Sequence, residues 1–490
     1  MKLTQLLNGI EYEVLNGSTD LEISDVIYNT KRIAKNTAFV CIKGAKFDSH
    51  TIAQEAVDGG AIAVVVEHEV EVENVTVIKV KDTRIALALM AANLYDHPAN
   101  KLTTIAVTGS KGKTTTTFMI KEILEKAGNK TGLIGSIGVF SGDKELDPRG
   151  HNTTPEGYEI HRLFDEMVKD GCKYVVMETS SQGFKLNRTA GLVFDYGIFL
   201  NISRDHISPW EHATLEEYLE CKAQLMKQCK VGVVNFDDEK LDQILAGHTC
   251  EVRSFGFNEG ADILVTDYKT ISKPKYMGVE YTTKGLMNLT VDVGSPGKFS
   301  IYDSVAAAYV CKCCGVKDEI ITKALEEIEI RGRVEKVKID APYTVVLDFA
   351  HNGIGVKNLI TAIKEYKPNR IIAVFGSDGN RTKIRRADAG EILGNMADLT
   401  ILTSNCPRFE KVEDINNEIK VGLDRTDGEY IEINDRRSAI KHAMSIAQEG
   451  DFILLIGKGH WDYEEINGVM YPFDERVVVK ELYEELKKAD

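Results

Sequence analysis

Short apolar runs alternate with stretches of helical period along the chain, and their spacing sorts it into three segments. In the first, TAFVCI at 37–42 and AIAVVVE at 61–67 read as strands around a helical stretch at 51–58. HPAN at 97–100 marks a junction. In the second, TIAV at 104–107, KYVVM at 173–177 and FDYGIFL at 194–200 read as buried strands. Met119, Ile120, Ile123 and Leu124 recur at helical spacing behind the first of these. A polar, alternating stretch over 250–301 predicts an antiparallel edge, followed by a helix over 304–314. The third segment opens near RGR at 331–333. It alternates strands at 344–347, 371–375, 399–403 and 452–456 with helical segments, the pattern of a parallel sheet. The expectation is an α/β chain of three domains, 1–99, 100–330 and 331–490.

In parallel sheets ligands sit beyond the carboxyl ends of the strands. Polar residues that break the apolar pattern gather there: Gly109 onward, Glu178, Asn201 to His206, Asp348, Gly376 to Arg381, and Gly457 to His460. The first of these groups is TGSKGKTTTT at 108–117, a glycine-rich turn from strand into helix. Such a turn aims backbone N–H groups and a helix N-terminus at an anion. Gly109, Ser110, Lys111, Gly112 and Thr115 form the cradle. Lys113 reaches the outer phosphates, and the Thr114 hydroxyl ligates Mg²⁺. Val107 stands where the standard phosphate loop has glycine, which argues against a switch GTPase or a transporter ATPase.

Glu178 ends an apolar strand near this loop, a position suited to holding Mg²⁺ or, more blandly, to starting a helix in solvent. His206 follows the next strand in the same manner and could ligate a second Mg²⁺. Thr214 and Glu217 make a capping box, so a helix begins there, with Leu215, Tyr218, Leu219, Leu225 and Met226 as its apolar stripe. Lys222 falls on that stripe. It either snorkels to water or is chemically altered, for example by CO₂ to a carbamate that binds metal.

Composition narrows the partners. With 75 acidic against 60 basic residues the net charge is −15, which disfavours nucleic acid and anionic membranes. The start, MKLTQLL, is too short and polar for a signal peptide, and no apolar run reaches membrane-spanning length. Nine cysteines form no framework, and CKCC at 311–314 reads as buried reduced thiols on a helix rather than a zinc site. A cytoplasmic protein is expected.

TGSKGKTTT, METSS at 177–181, NISRDH at 201–206 and the Lys222 helix together resemble the Mur ligase family. The resemblance continues through GRVE at 332–335, DFAHN at 348–352 and GKGH at 457–460, in family order over nearly the whole chain. NTTP at 152–155, FGSDGNR at 375–381, Pro407-Arg408 and PFDER at 472–476 make it most similar to the members that add the third residue of the peptidoglycan stem peptide.

The resemblance implies a small N-terminal α/β UDP-binding domain, a central P-loop-type α/β ATPase domain and a C-terminal Rossmann-like domain. It implies an ATP-dependent ligase whose D-glutamyl carboxylate is activated as an acyl phosphate and then attacked by an amine, releasing ADP and phosphate. Asn29, Thr30, Lys31, Thr153, Thr154, Ser180 and Arg188 would bind UDP-N-acetylmuramoyl-L-alanyl-D-glutamate. Arg333 and Asp348 would join the phosphate loop on ATP, and Lys113, Glu178, His206 and Lys222 would be catalytic. Thr114, Glu178, His206 and carbamylated Lys222 would hold the metal. Arg381, Cys406, Arg408, Gly457 and Trp461 would receive the free amino acid.

The expected partners are thus the nucleotide-linked dipeptide and a free diamino acid, with the chain acting as a monomer. The chain departs from the family pattern at Ser300 and Asp303, where asparagines are usual, at Gln182, and at Asn29-Thr-Lys31 in place of D-S-R. In the amine pocket Cys406 replaces an asparagine and Trp461 a glutamate of the diaminopimelate-using members. Arg381 and Arg408 still favour a substrate with carboxylates, so meso-2,6-diaminopimelate is expected. Other readings are a lysine-adding or related paralogue, a folylpolyglutamate synthase-like ligase, and a nucleotide-binding regulatory protein.

Overall fold

The computed structural model describes residues 1–44, 47–147, 152–203, 207, 211–273, 276–380 and 383–488. It divides into two compact units. The first comprises Met1–Val265 with Lys284–Met287 and Tyr302–Ile321, the second Thr266–Thr283, Asn288–Ile301 and Thr322–Asp490.

The first unit holds the N-terminal sheet and the strands of a larger one up to Val265. The N-terminal one has the order Tyr12–Asn16, Thr76–Val80, Ala61–Val66, Thr37–Val40, Val26–Ile27, parallel except for its first strand. Residues of this sheet share a core with Leu87, Met90 and Ala91 of the helix Thr83–Leu94, and with Tyr158 from beyond the expected boundary at 99. Tyr158 and Glu159 lie on the helix Gly157–Lys169. Tyr158 donates to Asp25 at 2.9 Å, and Arg32 donates to Glu159 at 2.7 Å. The N-terminal sheet is therefore packed into the same unit as the phosphate loop.

The larger sheet is centred on β1 (Thr103–Thr108), flanked by β2 (Tyr174–Glu178) and β3 (Phe194–Phe199), all parallel. Ile105, Ala106 and Val107 are fully buried, as an apolar run in a central parallel strand requires. Beyond β3 come Cys229–Asn235 and Glu251–Gly256, also parallel, and Ile263–Ser272 begins parallel to the latter. The antiparallel edge expected over 250–301 is found in part: Glu251–Gly256 pairs parallel with its neighbour, whereas Ile263–Ser272, Met277–Gly285 and Thr290–Val293 follow one another at the sheet edge, with Leu286 N donating to Asp262 O at 2.9 Å and Thr282 opposite Thr290 in an antiparallel pair. Alternation reports which face is buried, a property that edge strands of either direction share. The helix expected at 304–314 starts earlier, at Lys298, just past Pro296.

Behind β1 runs α1 (Lys113–Lys126), and α2 (Leu215–Lys227) follows β3. Thr214 Oγ1 accepts from Glu217 N at 3.2 Å. The return bond goes to Ala213 N at 2.7 Å, one residue before the expected cap. In the second unit β4 (Thr344–Asp348), β5 (Ile371–Phe375), β6 (Leu399–Leu402) and β7 (Phe452–Ile456) form a parallel sheet in the order β4-β7-β5-β6. A separate hairpin pairs β8 (Tyr463–Ile466) with β9 (Val469–Pro472).

Candidate functional site

The loop at 109–112 joins β1 to α1. Gly112 has φ +86°, and a Cβ there would lie 2.2 Å from Asp303 Oδ1, so conformation and space both demand glycine. Asn201, just past β3, clamps the main chain of Lys111. Its Oδ1 accepts from Lys111 N at 3.0 Å, and its Nδ2 donates to Lys111 O at 3.2 Å. Ser110 N donates to Asn201 O at 2.9 Å, and the Ser110 hydroxyl lies 2.9 Å from that of Tyr218. Thr115 is buried in the first turn of α1. These contacts fix the loop from three elements.

Lys113 donates to Gly109 O at 2.8 Å. Lys222 is only 1% exposed and donates to the same carbonyl at 2.9 Å, with its nitrogen 4.8 Å from the Tyr218 ring centre. The amine turns inward to the phosphate loop, which removes the snorkelling alternative. Two amines share one carbonyl oxygen, so each has a like-charged neighbour whenever both are protonated.

Glu178, at the end of β2, is 1% exposed rather than facing solvent. Its Oε1 accepts from Thr114 Oγ1 and from Ser136 N, both at 2.9 Å, and its Oε2 accepts from Ser136 Oγ at 3.1 Å. Ser136 Oγ in turn lies 3.1 Å from Thr153 Oγ1. A hydrogen-bonded line thus runs from the phosphate loop to the NTTP stretch. A second begins at Glu178 O, which accepts from Thr154 at 3.0 Å. Thr154 Oγ1 also accepts from Ser180 N at 2.8 Å, and Ser180 Oγ accepts from Gly183 N at 3.1 Å. Two buried hard oxygen donors, Thr114 and Glu178, fit Mg²⁺. Among the described residues no three His, Cys, Asp or Glu side chains gather as a metal cluster.

Arg188 is buried against Glu156, with Nε at 2.9 Å, and donates to Thr154 O at 2.9 Å. Arg84 of the N-terminal segment holds the other Glu156 oxygen at 2.7 Å. Asn29 Oδ1 caps a short turn by accepting from Lys31 N at 3.0 Å. Lys31 is exposed and Thr30 half-buried beside it.

In the second unit Asp348 ends β4. Its carboxylate accepts from Val334 N at 2.8 Å and Ala350 N at 2.7 Å, which locks the RGRV turn. A Cβ on Gly332 would meet His460 N at 2.1 Å, and Gly457 N donates to Asp348 O at 2.9 Å. The Arg333 guanidinium lies 4.9 Å over Phe349, whose centroid is 5.0 Å from His460 and 5.4 Å from Trp461. Phe349 therefore joins candidates from the nucleotide and amine sets. His460 is pushed down to about 3 by burial and by Arg333, Arg331 and Arg476.

Cys406 is buried, with its sulfur 3.8 Å from Tyr463 O and its pKa raised by burial. Arg408 lies beside Glu465. His206 and Arg381 lie outside the described residues.

Sequence reasoning missed Ser136, Glu156, Phe349, Tyr463 and Glu465. Gly135 was the available signal for the first, since a Cβ there would lie 2.5 Å from Glu178 Oε1.

Two family models match the chain: the Mur ligase middle domain over residues 107–311 and the Mur ligase, glutamate ligase domain over 332–459. The chain is 38% identical over 491 residues to the UDP-N-acetylmuramoyl-L-alanyl-D-glutamate--2,6-diaminopimelate ligase of Caldanaerobacter subterraneus, covering all of both chains. It is 37% identical to the ligase of the same name from Clostridium perfringens, covering 99% of this chain and 100% of that one. A solved structure of a ligase of that name superposes with TM-score 0.72 at 26% identity, covering 99% of each chain.

Proposed function

The chain belongs to the Mur ligase family, and from that premise we propose that it joins meso-2,6-diaminopimelate to UDP-N-acetylmuramoyl-L-alanyl-D-glutamate in peptidoglycan synthesis. It is an ATP-dependent amide ligase, forming ADP and phosphate. The observation that carries the site assignment is Glu178, buried and bonded at once to Thr114 of the phosphate loop and to Ser136, the neighbour of Thr153.

In this reading Gly109 to Thr115 cradle ATP, with Arg333 and Asp348 contributing from residues 331–490. Thr153, Thr154, Ser180 and Arg188 face the sugar-peptide, and Asn29, Thr30 and Lys31 face the uridine end from residues 1–99. The D-glutamyl carboxylate attacks the γ-phosphorus, so two anions must meet, and Lys113 lowers the repulsion between them. Mg²⁺, held by Thr114, Glu178, His206 and Lys222 as its carbamate, supplies further charge neutralisation when bound. Carbamylation turns a second amine at Gly109 O into an anion, replacing repulsion of Lys113 by attraction. The uncharged amine of the amino acid, placed by Arg381, Cys406, Arg408, Gly457 and Trp461, then displaces phosphate from the acyl phosphate. The protein acts as a monomer in the cytoplasm; among the described residues no helix is long and apolar enough to cross a membrane.

The test is phosphate release from ATP with the UDP-muramoyl dipeptide across a panel of amino acids. Release that depends on diaminopimelate is expected. Release with lysine at a comparable rate would instead favour a paralogue, a reading that the absence of charge at Cys406 and Trp461 supports. No release with any amine would leave a nucleotide-binding regulator.

A further inference from the structure

Arg408 and Glu465 lie side by side in the second unit. Arg408 Nε is 3.1 Å from Glu465 Oε2, and the main-chain N of Arg408 donates to Glu465 O at 2.9 Å. Yet among the described residues Nε makes no hydrogen bond: the Glu465 carboxylate lies off the N–H direction, so this contact is Coulombic and unlatched. The two side chains keep 20% and 22% of their surface open. Arg408 also holds a left-handed backbone, φ +53°, costly for a residue with a Cβ. Its carbonyl accepts from Asn467 N at 2.7 Å, which ties this strained position to the β8–β9 hairpin.

Strand alternation puts Tyr463 and Glu465 on one face of β8, and Glu464 on the other. Glu464 serves the interior, 3.3 Å from Ser404 Oγ and 3.9 Å from buried Lys458. Tyr463 stacks on Trp461, centroids 5.5 Å apart at 22°. Its phenol feels Cys406, Arg408, Glu465 and Asp378 together, and burial is the chief cause of its raised pKa. Arg408, Glu465 and the Trp461–Tyr463 stack thus surround one place, where Trp461 and Tyr463 bring surface without formal charge.

We propose that Glu465 is a specificity residue that binds the distal ammonium of the incoming diamino acid, while Arg408 beside it binds the distal carboxylate. A guanidinium next to a carboxylate is the complement of a second amino-acid centre, one anion and one cation on a single carbon. Lysine offers that pair a cation with no anion, and 2-aminopimelate an anion with no cation. Only a diamino diacid satisfies both. The inference rests on the amine substrate proposed above.

The experiment compares kcat/KM for meso-diaminopimelate and for 2-aminopimelate in the unsubstituted enzyme, in Glu465→Gln and in Glu464→Gln. Loss of contact between Glu465 and Arg408 affects both substrates and cancels in their ratio. The ratio is expected to fall by about tenfold or more in Glu465→Gln, mostly through KM for diaminopimelate. In Glu464→Gln it is expected to move by less than about twofold, because that carboxylate faces away. An unchanged ratio in Glu465→Gln, with both substrates still turned over, overturns the inference and leaves the proposed function standing. An equal fall of the ratio in both variants also overturns it, since a general disturbance of β8 would do the same. No turnover of diaminopimelate by the unsubstituted enzyme overturns the substrate assignment and this inference together.

Discussion

The phosphate loop and the proposed amine pocket are built in opposite ways. Around Gly109 to Thr114, main-chain groups and buried side chains from β2, β3 and α2 hold one another, and Lys222 and Glu178 are each 1% exposed. Around Arg408, a half-open ion pair and stacked rings lie on a hairpin whose far strand, β9, is exposed throughout. In the proposed function, chemistry common to every substrate is thus fixed by backbone geometry and buried side chains. Choice among substrates falls to side chains that can change without disturbing a core.

The sharpest way to break that contrast is Lys113→Ala. Removing the amine proposed to meet the transferred phosphoryl group should lower kcat by about 10³-fold or more, with little change in thermal unfolding, as read by phosphate release and melting curves. A loss of only a few-fold would mean that the loop is a structural turn. Next comes Lys222→Ala, expected to cost about 10²-fold or more in kcat, with partial recovery on adding short-chain carboxylates that stand in for a carbamate. A variant as active as the parent would make the buried amine a purely structural partner of Gly109 O.

At the amine pocket the effect should be smaller and of a different kind. Arg408→Lys keeps a charge but loses the planar fork, and should raise KM for diaminopimelate by about 10- to 100-fold with kcat less affected. Equal losses in kcat and kcat/KM would place Arg408 with the phosphate loop in function.

The smallest effect concerns stability against pH. His460 faces Phe349, Trp461, Arg333, Arg331 and Arg476, and stays neutral in the fold down to about 3. An unfolded histidine takes up a proton near about 6.5, so the unfolded state gains protons first as pH falls. Stability is then lost progressively from about 6.5 towards about 3. His460→Gln should flatten this part of the stability–pH curve in urea titrations, and an unaltered slope would remove His460 as a contributor.

This contrast also accounts for what could be read in the sequence. Lys222 stood out because a charge interrupted a helical apolar stripe, and Glu178 because it closed a buried strand; periodicity left the first free to snorkel and the second free to face solvent, and the fold buries both. Glu465 carried no such sign. On a short edge hairpin an acidic residue is ordinary, and only the fold brings it to Arg408, 57 positions earlier in the chain. The parallel pairing of Glu251–Gly256 was hidden for a related reason, because pairing partners are set by the loops and crossovers between strands. The join between the first two segments was read as a boundary at HPAN, although Tyr158 belongs to the N-terminal core.

That join bears on how such a protein could be re-engineered. Arg84 on the helix Thr83–Leu94, Glu156 and Arg188 form one ionic bolt between residues 1–99 and the stretch after β2, and Asn187 adds a 2.9 Å bond to Asp82. A chimera that exchanged residues 1–99 for those of another ligase would leave Glu156 with one of its two arginines missing and Tyr158 with a foreign socket. The exchangeable module is therefore discontinuous in the gene: residues 1–99 together with the helix Gly157–Lys169 and its preceding Glu156.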